Sequence, residues 1–208
     1  MKASKSSKPW LRRQETDPYV KRAKSEGYRS RAAFKLLEIN ERDRLIRPGM
    51  TVVDLGAAPG GWSQVAVEKI GPSGRAIAVD LLDVPPIRGV TFIRGDVASD
   101  ALVAELRQML ARSQADLVLS DIAPNISGIR HADCARSLGF AEAVLAVARS
   151  VLKPGGALLI KVFEGADVAE LKHELNAFFR EVVKRKPKAS RDRSREIYLL
   201  ARGFRVIE

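Results

Sequence analysis

Short apolar runs alternate with segments of helical periodicity along most of the chain. Between residues 18 and 46 the apolar positions recur at helical spacing, as in Ala32, Leu36, Leu37 and Ile39. From there on, apolar runs typical of buried strands are separated by further helical segments. The predicted strands are 51–55, 75–80, 90–94, 115–120, 156–163, 181–187 and 195–202, and the predicted later helices are 61–70, 99–112, 134–151 and 167–179.

This alternation predicts an α/β protein with a doubly wound, mainly parallel sheet of seven strands and helices on both faces. The runs 181–187 and 195–202 have no helix between them, so they predict a hairpin whose last strand is antiparallel to the others. We expect residues 1–208 to form a single domain, with a flexible basic tail at 1–18. Ligands of such sheets bind beyond the carboxyl ends of the strands, so the residues at those ends are the candidate site.

The distribution of charge along the chain indicates what kind of partner the protein binds. The net charge of the 208 residues is +11, and it is concentrated in two stretches, residues 1–35 (net +8) and residues 184–195 (net +6). Clustered lysine and arginine favour a polyanionic partner, above all nucleic acid, and the alternative is a solubilising surface with a disordered tail. No apolar run approaches the length of a membrane span, the N-terminus has no secretory pattern, and a single cysteine with two histidines offers neither a disulfide nor a soft-metal cluster. We therefore expect a cytoplasmic protein that needs no metal and no membrane.

The segment 51–64 joins the first strand to a helix through a loop of very small residues. Small residues let a backbone close around a ligand, and the helix that follows offers unpaired N–H groups. The spacing of Gly56, Gly60 and Gly61 matches neither the dinucleotide nor the phosphate-binding glycine pattern. The loop instead suits a nucleoside with an amino-acid tail, and S-adenosylmethionine has that shape.

Acidic residues follow the next two strands. Asp80 ends the second strand, where a carboxylate can accept hydrogen bonds from ribose hydroxyls, and Asp96 follows the third, where it can meet an adenine amino group. Each acid can instead cap the turn that follows it. Because the two acids and Asp54 end successive strands, we interpret them together as a nucleoside pocket.

Four polar residues can meet at the carboxyl ends of the fourth and fifth strands, on the same edge of the sheet as the acids above. Asp121 ends the fourth strand, and Lys161 lies within the apolar fifth strand, where loss of solvent favours the neutral amine and lets it act as a base; the alternative is a structural ion pair between the two. Glu196 starts the antiparallel last strand and can therefore approach Lys161, and Lys35 can reach this edge from the helix before the first strand. Tyr198 can either stack on a target nucleoside or pack in the core.

At these residues the chain resembles the FtsJ/RrmJ (RlmE) family of ribosomal RNA 2′-O-methyltransferases. The resemblance extends over nearly the whole chain, and Ala33 is a departure, because many relatives have a tryptophan there. The matching segments are 29–36, 53–64, 95–96, 120–125, 159–163 and 194–198.

The resemblance implies a class I, Rossmann-like methyltransferase fold with S-adenosylmethionine as methyl donor. It implies a catalytic tetrad of Lys35, Asp121, Lys161 and Glu196, with Lys161 as the proton acceptor. It also implies that the cofactor site is lined by Gly60, Trp62, Asp80, Asp96 and Asp121.

The implied substrate is a uridine 2′-hydroxyl of 23S rRNA in the 50S subunit or its precursor. The alternatives are a 2′-O-methyltransferase of tRNA or of an mRNA cap, and a non-catalytic RNA-binding assembly factor. An intact tetrad argues against the last of these, since a pure binding protein has no use for a buried lysine between acids.

Overall fold

The fold comes from a computed structural model, which describes residues 17–111, 114–124, 127–165, 168–191 and 194–206. Nearly all of the basic tail predicted at 1–18 lies outside the described residues, as does Asn125 of the segment 120–125. In the described part of the chain, no helix is long and apolar enough to cross a membrane.

The centre of the protein is one seven-stranded sheet with the strand order β3-β2-β1-β4-β5-β7-β6. β1 to β5 are parallel to their neighbours, whereas β7 pairs antiparallel with both β5 and β6. The predicted doubly wound sheet with an antiparallel last strand is therefore confirmed. The strands are β1 (Thr51–Leu55), β2 (Arg75–Asp80), β3 (Val90–Arg94), β4 (Ala115–Ser120), β5 (Leu152–Phe163), β6 (Phe179–Arg185) and β7 (Glu196–Phe204).

The first four strands have the predicted bounds, and β5 differs most. It begins at Leu152 rather than at residue 156, because Leu152 already pairs with Ala115 of β4. The pairing then shifts to Leu117 with Ala157, so the intervening Pro-Gly-Gly segment forms an irregularity within the strand instead of a turn before it.

Helices cover both faces of the sheet. Asp17 caps α1 by accepting a hydrogen bond from the Tyr19 amide at 3.0 Å, and Ser99 caps α4 through the Ala101 amide at 3.2 Å. The region predicted as helical between 18 and 46 is two helices. The helices are α1 (Pro18–Ser25), α2 (Ala32–Asp43), α3 (Gly61–Ile70), α4 (Asp100–Leu110), α5 (Arg130–Val151) and α6 (Val168–Phe178).

Two apolar layers hold the sheet between these helices. Val53 and Leu55 of β1 belong to the layer under α4, α5 and α6, whereas Val52 belongs to the layer under α2 and α3. Successive strand residues point to opposite faces, so a strand buried on both sides must be apolar at consecutive positions. This burial explains why continuous apolar runs located the strands.

The strand register determines which residues lie at the edge of the sheet formed by the carboxyl ends of the parallel strands. Lys161 of β5 is opposite Tyr198 of β7, and Phe163 is opposite Glu196. The start of β7 therefore lies at the carboxyl end of β5, as the sequence predicted, on the same edge of the sheet as the carboxyl end of β4.

Candidate active site

A cavity of about 370 Å³ opens beyond the carboxyl ends of β1, β2, β3 and β4. Its volume is within the range of small-molecule sites, and its lining combines carboxylates with apolar side chains. The lining residues are Gly56, Ala58, Asp80, Leu81, Leu82, Gly95, Asp96, Val97, Asp121, Ile122, Ala123 and Phe140.

Two glycines of the loop between β1 and α3 are required by its close packing. Gly56 has φ +75°, and a Cβ atom there would overlap the side chain of Ile122. Gly60 has φ +111°, and a Cβ atom there would lie 2.7 Å from Ile87 and 3.1 Å from the guanidinium of Arg29. Only glycine adopts these backbone angles without strain and also leaves this space.

Arg29 holds the loop from outside, and sequence analysis missed this role. Its guanidinium donates to the carbonyl oxygens of Pro59 at 3.3 Å, Pro85 at 2.5 Å and Pro86 at 2.8 Å. Its backbone amide donates to Gln64 of α3 at 2.8 Å. A planar guanidinium with several donors can join the glycine loop to the segment after β2 in this way.

Asp80 and Asp96 line the cavity and also cap turns. The two carboxylate oxygens of Asp80 accept from the amides of Ala58 and Leu82, each at 2.8 Å. Asp96 accepts from the amide of Ala98 at 3.0 Å. Because a carboxylate oxygen has two lone pairs, these contacts orient the acids and leave acceptor capacity toward the cavity. The capping of turns by these acids is therefore confirmed, and their role in a nucleoside pocket stays a prediction.

Asp54 lies beneath the loop, fully buried. Ser63 donates its hydroxyl hydrogen to Asp54 at 2.6 Å. Burial raises the pKa of Asp54 to about 7, and the charges of Asp121 and Asp80 act in the same direction. The carboxyl group thus holds a proton up to near-neutral pH.

Gly60 and Trp62 lie at the start of α3 but are outside the set of described residues that line the cavity. The indole N–H of Trp62 donates to the carbonyl of Ala32 at 2.8 Å, and its ring packs on Tyr198 with centroids 5.7 Å apart. The Trp62 side chain is therefore a buried link between α2 and α3.

The four residues of the predicted tetrad come together at the carboxyl end of β4. Lys35 Nζ lies 2.8 Å from Glu196 Oε1 and 3.7 Å from Asp121 Oδ2. Lys161 Nζ lies 3.1 Å from Asp121 Oδ1. Their side chains are between 6% and 16% exposed, so two cations and two anions alternate in a nearly dry cluster.

The order of contacts in this cluster differs in one respect from the sequence prediction. Glu196 forms its ion pair with Lys35, whereas Lys161 pairs with Asp121. The strand register gives the reason, since the residue of β7 opposite Lys161 is Tyr198. Lys161 also donates to the backbone carbonyl of Asp121 at 2.6 Å. The predicted ion pair between Lys161 and Asp121 is thus present.

Tyr198 belongs to the core, so the interpretation that it stacks on a target nucleoside is wrong. Its side chain is fully buried, with a relative exposure of 0%, and its hydroxyl donates to Asp121 Oδ1 at 2.7 Å. Burial raises the pKa of Tyr198 well above its ordinary value, and the charges of Asp121 and Glu196 add to this effect. The phenol therefore remains a hydrogen-bond donor.

Asp121 receives most of the contacts in the cluster. Burial raises the pKa of this carboxyl, but the charges of Lys161 and Lys35 and the hydrogen bond from Tyr198 outweigh burial and hold it below its ordinary value. Asp121 is therefore an ionised carboxylate that also lines the cavity. Through this residue the cluster and the cavity form one continuous site.

The sheet order, the glycine loop, the cavity and the buried tetrad define a methyltransferase of the class I type. The chain matches the FtsJ-like methyltransferase family over residues 28–204 and belongs to that family. It is 53% identical over 205 residues to the Ribosomal RNA large subunit methyltransferase E of Azoarcus sp., and this covers 99% of this chain and 100% of that protein. It is 54% identical to the protein of the same name from Pseudomonas aeruginosa, with 99% of each chain covered.

A solved structure supports the same assignment of the fold. The crystal structure of a ribosomal RNA methyltransferase from Plasmodium falciparum is similar with a TM-score of 0.77 and 29% sequence identity. The similarity covers 85% of this chain and 98% of that one.

Proposed function

We propose that this protein transfers the methyl group of S-adenosylmethionine to the 2′-hydroxyl of a uridine in 23S rRNA. The observation that carries the proposal is the buried alternation of Lys35, Asp121 and Lys161 with Glu196 at the wall of a nucleoside-sized cavity. The names of the relatives support a substrate in the large ribosomal subunit.

The residues of the cavity fit the proposed cofactor. Asp80 and Asp96 are held by backbone amides and can accept hydrogen bonds from ribose hydroxyls and an adenine amino group. Ile122 and Leu82 provide apolar walls for the flat base, and the glycine loop leaves room where any side chain would collide. Bound S-adenosylmethionine supplies a methyl group that its sulfonium already activates. We propose that Asp80, Asp96 and Asp121 line its binding site and that Gly60 and Trp62, at the start of α3, complete that site from behind the lining.

The transfer itself requires alignment of the acceptor oxygen and removal of its proton. We propose that Lys161 first releases its own proton to solvent and then, as the neutral amine, accepts the proton of the 2′-hydroxyl. Asp121 orients Lys161 through two contacts and stabilises the ammonium that forms, and Lys35 with Glu196 holds Asp121 in place. None of these steps needs a metal.

The acceptor is proposed to be RNA within the 50S subunit or its precursor, in the cytoplasm. The basic stretches 1–35 and 184–195 would contact phosphates, which gives affinity without reading sequence. Methylation of tRNA or of an mRNA cap is the alternative within the same chemistry. We propose a single methyltransferase domain over the whole chain.

The experiment is labelled methyl transfer to isolated 50S particles, free rRNA and tRNA by the native protein and by Lys161→Ala. We expect transfer to large-subunit RNA, and loss of at least 100-fold in Lys161→Ala, the scale of general acid–base catalysis. Binding of S-adenosylmethionine, measured by calorimetry, should be unchanged in the variant.

Lys153→Ala is the matched control. Lys153 also lies on β5 and also pairs with an aspartate of β4, Asp116, but at the opposite edge of the sheet. This control should methylate like the native protein. Substantial turnover by Lys161→Ala would refute the proton-acceptor role, and transfer to tRNA alone would refute the proposed substrate.

A further inference from the structure

A second cavity, of about 320 Å³, lies beside the start of α2. We call it the α2 cavity. It is formed where the start of α1 meets the segment between β6 and β7, within the second basic stretch. Its lining residues are Asp17, Pro18, Tyr19, Arg31, Lys188, Ser190 and Arg191.

Two polar groups in this lining have no hydrogen-bond partner among the described residues. Ser190 is 5% exposed, and its hydroxyl is unpartnered. Arg31 donates through its two terminal nitrogens to Asp17 and to the carbonyl of Ala189, which leaves its buried Nε–H unpartnered. Buried polar groups are rarely left without partners, so these two donors point to a ligand with acceptor atoms.

The charge of the α2 cavity selects the kind of ligand. Arg31, Lys188 and Arg191 contribute three positive charges, against the one negative charge of Asp17. Asp17 already pairs with Arg31 and lies 3.7 Å from Arg191. Lys188 and Arg191 are exposed and can reach an incoming group. The surplus of two positive charges, together with hydrogen-bond donors, fits an anion with several oxygens.

The α2 cavity adjoins the tetrad. Arg31 precedes Lys35 by four residues at the start of α2, so both side chains lie on one face of the helix, about 6 Å apart along its axis. Burial raises the pKa of Tyr198, and the charge of Arg31 opposes that rise, as expected if Arg31 is a near neighbour of the buried site. A polyanion bound at the tetrad therefore lies near this cavity.

We propose that the α2 cavity binds one backbone phosphate of the acceptor RNA and thereby positions the target nucleotide at the tetrad. The proposal rests on the proposed function, because RNA is the ligand that both sites would share. Lys188 and Arg191 attract the phosphate, and the Ser190 hydroxyl and the Arg31 Nε–H donate hydrogen bonds to its oxygens. These residues are positioning residues, not catalytic ones.

The test is an RNA that the protein binds, synthesised with a neutral methylphosphonate at one linkage at a time. In the native protein we expect one linkage near the target uridine to lower affinity about tenfold when neutralised, the scale of a hydrogen bond to a charged group. In Lys188→Gln/Arg191→Gln that linkage should lose its effect, and the logarithmic salt slope should fall by about 0.7, as for one phosphate contact on a single strand. Ser190→Ala should lower affinity severalfold without changing the salt slope, because it removes no charge.

Arg44→Gln/Arg47→Gln is the matched control, since these exposed arginines line a different cavity at the other end of α2. It should leave the pattern of sensitive linkages unchanged. If every linkage effect of the native protein persists in the α2-cavity variants, the phosphate site is refuted. Linkage-specific binding without any methyl transfer would instead refute the proposed function and leave the phosphate site intact.

Discussion

Tyr198 and Lys161 share one oxygen atom of Asp121. The phenolic hydroxyl donates to Asp121 Oδ1 at 2.7 Å, and the Lys161 ammonium lies 3.1 Å from the same atom. The other oxygen, Oδ2, faces Lys35 at 3.7 Å. A neutral donor therefore contacts the carboxylate between two lysines, on a side chain that is only 16% exposed.

This relationship predicts the effect of Tyr198→Phe. The variant retains the ring against Trp62 but removes the donor, so the pKa of Asp121 should rise and the orientation of Lys161 should loosen. We expect kcat for methyl transfer to fall roughly tenfold, in line with a hydrogen bond to a charged group. Affinity for S-adenosylmethionine should change less than kcat, as steady-state kinetics and calorimetry would show.

Tyr28→Phe provides the comparison. It removes a similar hydrogen bond, from Tyr28 to Glu68 at 2.8 Å, on the exposed side of the molecule. Equal loss of turnover in both variants would mean that the Tyr198 hydroxyl acts only through stability.

The sequence predicted the four residues of the tetrad and the ion pair between Lys161 and Asp121, but not the pairing of Glu196 with Lys35. Asp121 and Lys161 could be placed in the site because ligands bind beyond the carboxyl ends of the strands. This rule needs only the order of strands and helices. The pairing of Glu196 with Lys35 depends on the register of β7 against β5, which places Tyr198 opposite Lys161. No local pattern fixes that register, because both strands are buried on both faces and apolar at consecutive positions.

The start of the fifth strand was predicted wrongly because local turn residues do not reveal pairing between strands. Pro154, Gly155 and Gly156 favour a break before the fifth strand, and the prediction began that strand at residue 156. In the structure the backbone pairs with β4 on both sides of this segment. Pairing across the sheet thus overrides the local preference for a turn.

Gly56→Ala should lower both stability and cofactor affinity. Alanine at φ +75° is strained, by about 1–2 kcal/mol, and its Cβ atom would displace Ile122, which lines the cavity. Gly155→Ala is the matched control, with φ +83° and nothing within 4 Å of a Cβ atom. We expect denaturant unfolding to show a loss of stability in both variants, larger in Gly56→Ala because of the overlap with Ile122, and a loss of S-adenosylmethionine binding only in Gly56→Ala. Unchanged binding in Gly56→Ala would show that Ile122 does not shape the cofactor site.

Arg29→Ala should weaken cofactor binding without touching the cavity. The substitution removes three hydrogen bonds from the segment before α2 to the backbone at Pro59 and at Pro85–Pro86. The glycine loop therefore becomes more mobile. We expect the dissociation constant of S-adenosylmethionine to rise about tenfold, and Arg29→Lys to restore little, since one ammonium cannot span three carbonyls. Full rescue by lysine would indicate that charge, not the hydrogen-bond geometry, is what matters.

Arg22→Ala is the appropriate reference for this series. Arg22 of α1 forms an exposed ion pair with Glu26, the residue that follows this helix, and pairs of this kind contribute little. Cofactor binding in this variant should equal that of the native protein.

The raised pKa of Asp54 predicts how the stability of the protein depends on pH. Its pKa in the folded protein is about 7, against an ordinary value of 3.8, so between these pH values the folded state binds more protons than the unfolded state. The free energy of unfolding should therefore fall as pH rises through this window, by up to about 1.4 kcal/mol for each pH unit, and level off above pH 7. Asp54→Asn cannot ionise, so its stability relative to the native protein should increase from pH 4 to pH 7.

Urea unfolding of the native protein and Asp54→Asn across this range isolates the effect, because every other titrating group is present in both. The contribution of Asp121, whose pKa is lowered, has the opposite sign and cancels in the difference. Asp83→Asn, at a carboxylate that is 80% exposed, controls for the substitution of an aspartate by asparagine itself. If Asp54→Asn gives a pH-independent difference, the Asp54 carboxyl is ionised in the folded protein throughout the range. In that case a fixed negative charge would lie beneath the glycine loop, and an electrostatic attraction for the sulfonium of the cofactor would replace the neutral packing inferred from its burial.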